Sequence, residues 1–515
     1  MVNKNVSDGQ SPERKLSPQP PFSIDDCPGS VPAAGWRNGT SLNDAGEWGN
    51  YWSSTPNEDN THNSYNLNFN SGNHNTNWNN RNNGHTVRPV TELTIESAQP
   101  PARHFSITKE RLLEDLYRAY KDARKHKRGK AYQLKFEFNL EDNLVALRDE
   151  LYNQAYKPLP STCFIIHDPK MREVFAANFR DRIVHHLFYN YTYGLFERTF
   201  IADSYSCLKG RGTHYGINRL RHHIRSVSAG YSRPCYVLKM DVKGYFMSIN
   251  RGHLLAICRD SLERMRRHKA GPDGVTWEQK IDYPLVDYLL EQIVTLDPTR
   301  GCVKLGVAEE WDALPSEKSL FHSADNCGLP IGNLSSQLFS NVYMNVFDQY
   351  VKRNLGCRHY GRYVDDAYIV SDDRRYLKTL IPQIRDFLER ELGLSLNEEK
   401  TRIYDARQGV EFLGAYLRPF RTYVANGSLR RMRHKLMMTT AGLSAAGRCG
   451  CSVANDERAA RLHYVRAAVN SWLGVLSHCD SFCLRRVLFG HCSGLNAYGR
   501  FRADMLTFTP FLPFL

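Results

Sequence analysis

The sequence has no run of about eighteen apolar residues, so an ordinary helical membrane span is not expected. Its opening residues, MVNKNVSDGQSPERK, have none of the apolar core that a secretory leader needs. Paired C-x-x-C knuckles are missing too, although the chain has 13 cysteines. That odd number, scattered through regions of structured pattern, suits reduced thiols in a cytoplasm. The C-terminal set (Cys449, Cys451, Cys479, Cys483 and Cys492) therefore reads as buried free thiols in preference to a zinc site. No repeat of solenoid length is visible. Acidic residues are scarce near the C-terminal end, where residues 421–515 carry 13 Lys/Arg against four Asp/Glu. The whole chain has a formal charge of 68 − 54 = +14, so a polyanion is an expected partner, and 421–515 is the first candidate for a phosphate-gripping surface.

Residues 1–103 are rich in Ser, Pro, Gly and Asn and lack apolar periodicity; 11 of the 24 residues in 61–84 are asparagine. This composition predicts a disordered, low-complexity tail. From Ala102 the character changes. Ser106 stands where an N-cap would precede a helix carrying Leu112, Leu113, Leu116 and Tyr117. Helical patterns follow over 142–156 and 180–195. The string CYVLKMD (235–241) reads as a buried strand ending in an acid, and GRYVDDAYIVS (361–371) as two apolar arms around an Asp-Asp turn. Residues 384–392 read as a helix and 411–417 as a strand. After Ser428 the pattern is helical, clearest in Leu462, Val465, Val469, Trp472, Leu473 and Leu476.

Transfer of a nucleotidyl group to a growing strand calls for two divalent ions about 3.5–4 Å apart. Magnesium takes hard oxygen ligands, few of them from protein, and the rest from phosphates and water. Short aspartates on adjacent strand ends meet that need. Asp241, ending one apolar strand, and Asp365-Asp366, at a hairpin tip, are so placed. An Asp-Asp pair in a turn is common by itself. The longer string Tyr363-Val364-Asp365-Asp366, paired with an upstream strand-ending acid and Gly244-Tyr245-Phe246, is far more specific.

With those motifs in hand, 138–476 resembles the catalytic core of reverse transcriptases, in that family's motif order. YVDD resembles its signature hairpin and DVKGYF its first carboxylate motif. Gly328-Leu-Pro-Ile-Gly-Asn-Leu-Ser-Ser-Gln337 resembles the start of its template- and nucleotide-positioning helix. Asn397-Glu-Glu-Lys400 resembles the motif whose lysine protonates the leaving pyrophosphate, and Glu411-Phe-Leu-Gly414 the primer grip. Lys170, Arg172 and the Arg180–Val184 segment resemble the fingers motifs that hold triphosphate and template, where a cation offsets developing charge. Phe246 stands where the family excludes a ribose 2′-hydroxyl. The resemblance implies a right-hand α+β fold: fingers over 104–230, a palm with an antiparallel sheet over 231–424, and a small, basic, helical thumb over 425–515. It implies catalysis by Asp241, Asp365, Asp366 and Lys400, with two Mg2+ ions on the three aspartates. Substrate contacts fall to Lys170, Arg172, Phe246, Gly332 and Gln337. The implied partners are template RNA, a primer, deoxynucleoside triphosphates and a small basic accessory protein, in a bacterial or phage-encoded cytoplasmic enzyme with no membrane partner.

One departure narrows the resemblance. Mobile-intron and retron enzymes carry glutamine before the motif glycine and proline after its serine; here Ile331 precedes Gly332, and Gln337 follows Ser336. This form resembles the reverse transcriptases of diversity-generating retroelements, in which it accompanies error-prone copying of template adenines. Isoleucine cannot make the hydrogen bond that glutamine could make near the nascent pair, which would relax discrimination. The asparagine-rich stretch agrees, because asparagine codons are adenine-rich and the segment resembles a translated template repeat. Rival readings are a retron-like or antiphage enzyme and a catalytically idle RNA-binding scaffold.

Overall fold

The computed structural model describes residues 103–125, 129–167, 170–446, 453–491 and 495–511, with strand backbone at intervals between 36 and 85. The chain divides into two units, Met1–Pro101 and Ala102–Leu515. In the first, Gly49–Pro56, Asn63–Asn70 and Asn73–Asn80 form an antiparallel meander, and Trp36–Asn38 pairs with both Ser41–Asn43 and Gly84–His85. Over 63–70, Tyr65, Leu67 and Phe69 alternate with asparagine, a period of two that the expectation of no apolar periodicity had missed. The rest of the expected tail lies outside the described residues.

The second unit opens on helix α1 (Lys109–Arg124), whose leucines Leu112 and Leu116 are fully buried while Tyr117 is exposed. Its N-cap is Thr108, whose hydroxyl accepts from Arg111 N–H, and not the expected Ser106. Ser106 instead donates its hydroxyl to Asp282 (2.9 Å), tying the incoming chain to the cap of a later helix. Helix α2 (Leu140–Tyr152) stops short of the expected 156, at Asn153 and Gln154 (φ +57). Strands β1 (Thr162–Ile166) and β2 (Arg172–Ala176) pair antiparallel ahead of α3 (Phe179–Glu197).

Helix α4 (Thr213–Val227) leads to β3 (Tyr236–Met240), followed by α5 (Arg251–Met265), α6 (Tyr283–Val294) and α7 (Leu334–Gln349). Then come β4 (Tyr360–Tyr363), β5 (Asp366–Ser371), α8 (Arg374–Leu392) and β6 (Arg402–Asp405). The central sheet has the order β4-β5-β3-β6, every pair antiparallel. Both of its faces are covered. Leu238, Met240, Ala367 and Ile369 join the largest core cluster with side chains of α5, α7 and α8, including Leu254, Phe339, Tyr343, Leu380 and Ile384. Val237, Tyr368 and Val370 pack on the other side against Ile217, Leu220 and Ile224 of α4. Burial on both faces explains why these short strands are almost unbroken apolar runs.

The expected single strand over 411–417 is two strands. β7 (Val410–Phe412) and β8 (Ala415–Arg418) turn at Leu413 (φ +49) and Gly414 (φ +82), and β9 (Arg421–Val424) completes a three-stranded sheet. Two consecutive left-handed residues make the two-residue hairpin whose twist matches its strands. The C-terminal part is helical in α9 (Asn426–Ala446) and α10 (Val453–Ser477). The strands Gly499–Phe501 and Phe508–Pro510 interrupt the expected helical run. Cys483, read as a buried thiol, is exposed and Cys479 half-buried, both beyond the end of α10; Cys449, Cys451 and Cys492 lie outside the described residues.

Candidate active site

Strand pairing alone brings the three aspartates together. Ala367 pairs with Met240, so one step further along the antiparallel ladder Asp366 stands opposite Asp241. Tyr363 pairs with Asp366, leaving Val364 and Asp365 as the two residues of the β4–β5 turn. Asp366 thus already belongs to a strand, whereas Asp365 sits at the tip. Val364 takes φ +57, a left-handed conformation that a β-branched residue adopts at a cost of roughly 1–3 kcal/mol. Such strain persists only where the surroundings impose it.

Cations flank the carboxylates on both sides. Lys400 Nζ lies 2.6 Å from Asp241 Oδ2, and Asn397 Nδ2 lies 3.4 Å from the same oxygen. The segment bearing them is fixed to the strand end, because Asn397 N–H donates to the Asp241 carbonyl (2.8 Å). Lys239, one residue inside β3, places its ammonium 3.7 Å from Asp366 Oδ1. Burial holds the Asp365 carboxyl above the usual carboxylate range; Asp241 adds to that rise, and Lys400 and Arg172 oppose it. Burial pushes Asp366 up to about 6, against the pull of Lys239 and with further repulsion from Asp365 and Asp241. The hydrogen bond to Asp241 raises Lys400, keeping it an ammonium.

An all-oxygen donor set under mutual repulsion fits a hard divalent cation, whose charge would relieve both the repulsion and the desolvation. Among the described residues, no three His, Cys, Asp or Glu side chains form a ready-made metal cage. Magnesium sites usually need none, since such ions are held by one or two carboxylates with water and substrate phosphates.

The other expected contacts are placed less uniformly. Arg172 is exposed at the start of β2, close enough for its charge to lower Asp365, and Lys170 is exposed two residues earlier. Arg180 is already engaged: it ion-pairs with Glu150 and its guanidinium lies 5.0 Å from the Tyr156 ring centroid. Asp181 is buried and accepts from Tyr156 Oη and Leu159 N–H (both 2.8 Å). Phe246 is half-buried, and its carbonyl accepts from Leu329 N–H (2.8 Å), bringing it beside the Gly328–Gln337 motif. Within that motif the Ile331 carbonyl accepts from Phe175 N–H (2.8 Å), and Gly332 has φ +127. A Cβ on Gly332 would come within 2.7 Å of the Phe175 carbonyl oxygen, so glycine here answers to the backbone of β2. Gln337 is exposed on the first turn of α7.

Residues 282–417 match the family model described as reverse transcriptase (RNA-dependent DNA polymerase). The chain carries a reverse transcriptase domain. Such a domain is an RNA-directed DNA polymerase, a nucleotidyltransferase. The match takes in Asp365, Asp366, Lys400, Gly332 and Gln337; Asp241 lies upstream of it and meets the Asp365-Asp366 hairpin through the β3–β5 pairing. Residues 27–90 match a second model, described only as a domain of unknown function. Protein YkfC of Escherichia coli (strain K12) is 25% identical over 305 residues, 53% of this chain and 70% of YkfC. Among solved structures, apo telomerase from Candida tropicalis aligns with a TM-score of 0.38 and 11% identity, covering 63% of this chain and 60% of that one. Telomerase from Candida albicans in complex with the TWJ fragment of telomeric RNA aligns with a TM-score of 0.36 and 10% identity, over 64% and 58%. The chain thus spans about 60% of the length of those telomerase chains.

No role was legible in the sequence for Lys239, Arg362 or Asp348. Lys239 alternates with the buried Leu238 and Met240 on a strand read only as apolar, and that single polar interruption was its one signal. Arg362 precedes the YVDD string and Asp348 ends an apolar helix, and no spacing rule links the two.

Proposed function

We propose that this protein copies RNA into DNA by in-line attack of a primer 3′-hydroxyl on a deoxynucleoside triphosphate, with Asp241, Asp365 and Asp366 holding two Mg2+ ions. The observation that carries the reading is the meeting of those three carboxylates at one end of the central sheet, in a chain with a reverse transcriptase domain. Ions bound there would acidify the attacking hydroxyl and take up charge on the leaving pyrophosphate. Lys400 serves as the proton donor to that pyrophosphate; it is an ammonium held 2.6 Å from Asp241. Lys170 and Arg172 bind the triphosphate, Phe246 screens the sugar, and Gly332 with Gln337 lines the nascent pair. We assign 104–230 to fingers, 231–424 to palm and 425–515 to thumb, with template RNA and primer lying between them.

The finer assignment is to a diversity-generating retroelement, supported by the Ile331-Gly332 and Ser336-Gln337 form of the motif and by the asparagine-dense 61–84. The test is incorporation of labelled deoxynucleotides with Mg2+ on the element's own upstream RNA, with any small basic neighbouring protein added. Synthesis by the wild type and only background in Asp365→Ala/Asp366→Ala would support the polymerase. Substitutions concentrated opposite template adenines support the retroelement assignment, and accurate copying rejects it while leaving the polymerase standing. No DNA under any primer or partner condition rejects both.

A further inference from the structure

Arg362 and Asp348 form a pair with both side chains at 0% exposure. Arg362 Nε and Nη2 donate to the two oxygens of Asp348 (2.8 and 2.7 Å), a side-on fork that no lysine could reproduce. Tyr360 Oη donates to the same carboxylate (2.6 Å), and Arg362 Nη2 also reaches Ser204 Oγ (3.3 Å). The remaining arm is the informative one: Arg362 Nη1 donates to the Val364 carbonyl at 2.8 Å. That carbonyl belongs to the peptide unit joining the strained Val364 to Asp365. Because the unit is planar, fixing its oxygen also fixes the direction of the Asp365 N–H, and with it the base of the Asp365 side chain.

Stability alone gives little reason for such a pair. Burying two charges costs more than their attraction returns unless every donor and acceptor is satisfied, and apolar replacement of both partners is often neutral. The fork also anchors the turn to a distant element. Asp348 lies at the last turn of α7, whose first turn carries Gln337 of the nucleotide-side motif, so one helix runs from that motif to the carboxylate that holds Arg362.

We propose that Arg362, clamped by Asp348, is a positioning residue that orients the Asp365 carboxylate for metal binding through the Val364 carbonyl. This rests on the polymerase reading above, and the test separates the two. Mn2+ binding to the full chain is measured from the loss of the free-ion paramagnetic resonance signal, with Asp365→Ala/Asp366→Ala defining the specific component. Thermal unfolding is followed in the same samples, and kcat and KM are measured on a poly(rA)/oligo(dT) template-primer. The Arg362→Met/Asp348→Leu double variant removes both charges while keeping side-chain bulk. It should unfold within a few degrees of the wild type, yet bind the specific Mn2+ about tenfold to a hundredfold more weakly. Its kcat should fall similarly while KM for the template-primer holds. Wild-type Mn2+ affinity in a folded double variant overturns the proposal. If that variant does not fold, Arg362→Lys carries the test: it retains a cation for Asp348 but cannot fork and reach Val364 together. Unchanged Mn2+ affinity in it is equally fatal. Specific Mn2+ binding by a wild type that makes no DNA rejects the polymerase reading and still decides the role of Arg362.

Discussion

At the scale of single residues, the site is shaped as much by backbone as by charge. Gly332 is the clearest case, since it combines φ +127 with a carbonyl 2.7 Å from where a Cβ would stand. That oxygen belongs to a paired strand and cannot move aside as a flexible side chain could. Gly332→Ala should therefore lower the unfolding free energy by about 2 kcal/mol, read as a shifted denaturant midpoint. Because β2 also carries Arg172, the same variant should raise KM for the deoxynucleoside triphosphate. An unchanged midpoint and KM would show that the strand yields. Gly332 was legible in the sequence as a motif position; its close approach to Phe175 was not, because nothing in 331–337 reveals which strand lies above it.

At the scale of elements, hydrogen-bonded caps and turns set boundaries that periodicity blurs. The apolar pattern of α1 was legible, with Leu112 and Leu116 inward, but Ser106 and Thr108 are both acceptable caps by composition. Tertiary contact decided between them, since Asp282 takes Ser106 and leaves Thr108 to begin the helix. Thr108→Ala should cost about 1 kcal/mol and increase amide exchange in the first turn of α1, while Ser106→Ala leaves that turn protected. Loss of protection in Ser106→Ala, with Thr108→Ala unaffected, would put the cap at Ser106 after all. The strand over 411–417 was misjudged for a related reason. Leu413 is an unusual turn residue, and only the pairing of β7 with β8 forces it into the left-handed region. By contrast, 361–371 was legible in full, because two apolar arms separated by polar residues admit few alternatives to a hairpin.

At the scale of the whole molecule, two histidines buried away from Asp241, Asp365 and Asp366 should make stability depend on pH. His185, bonded to Ser335 Oγ (2.6 Å), is held down to about 4 by burial, and His223, beside Asp203, Arg219 and Tyr368, is likewise held near 4 by burial. Their unfolded values are about 6.5. The folded state resists their protonation, so their contribution to stability is level above about pH 6.5 and falls as pH drops toward 4, by up to roughly 1.4 kcal/mol per pH unit for each histidine, while the raised Asp366 opposes that fall below about pH 6. Unfolding midpoints taken between pH 7 and pH 5 should show that fall, and His185→Gln should lessen it. An equal fall in the wild type and in His185→Gln would mean that His185 is not held neutral by burial. Over all described residues, no helix is long and apolar enough to cross a membrane.

The sequence by itself determined the chemistry that could be present: an acid ending an apolar strand, an Asp-Asp hairpin, a downstream lysine, and a basic C-terminal region. These are local patterns, set by period, turn chemistry and charge within a few residues. Only the tertiary structure decided which groups meet. Antiparallel pairing of β3 with β5 set Asp241 opposite Asp366 across more than a hundred residues of chain, and packing of α7 beneath the hairpin gave Arg362 its carboxylate. Such meetings depend on register and on how helices pack against sheets, and neither is written in the spacing of residues along one strand.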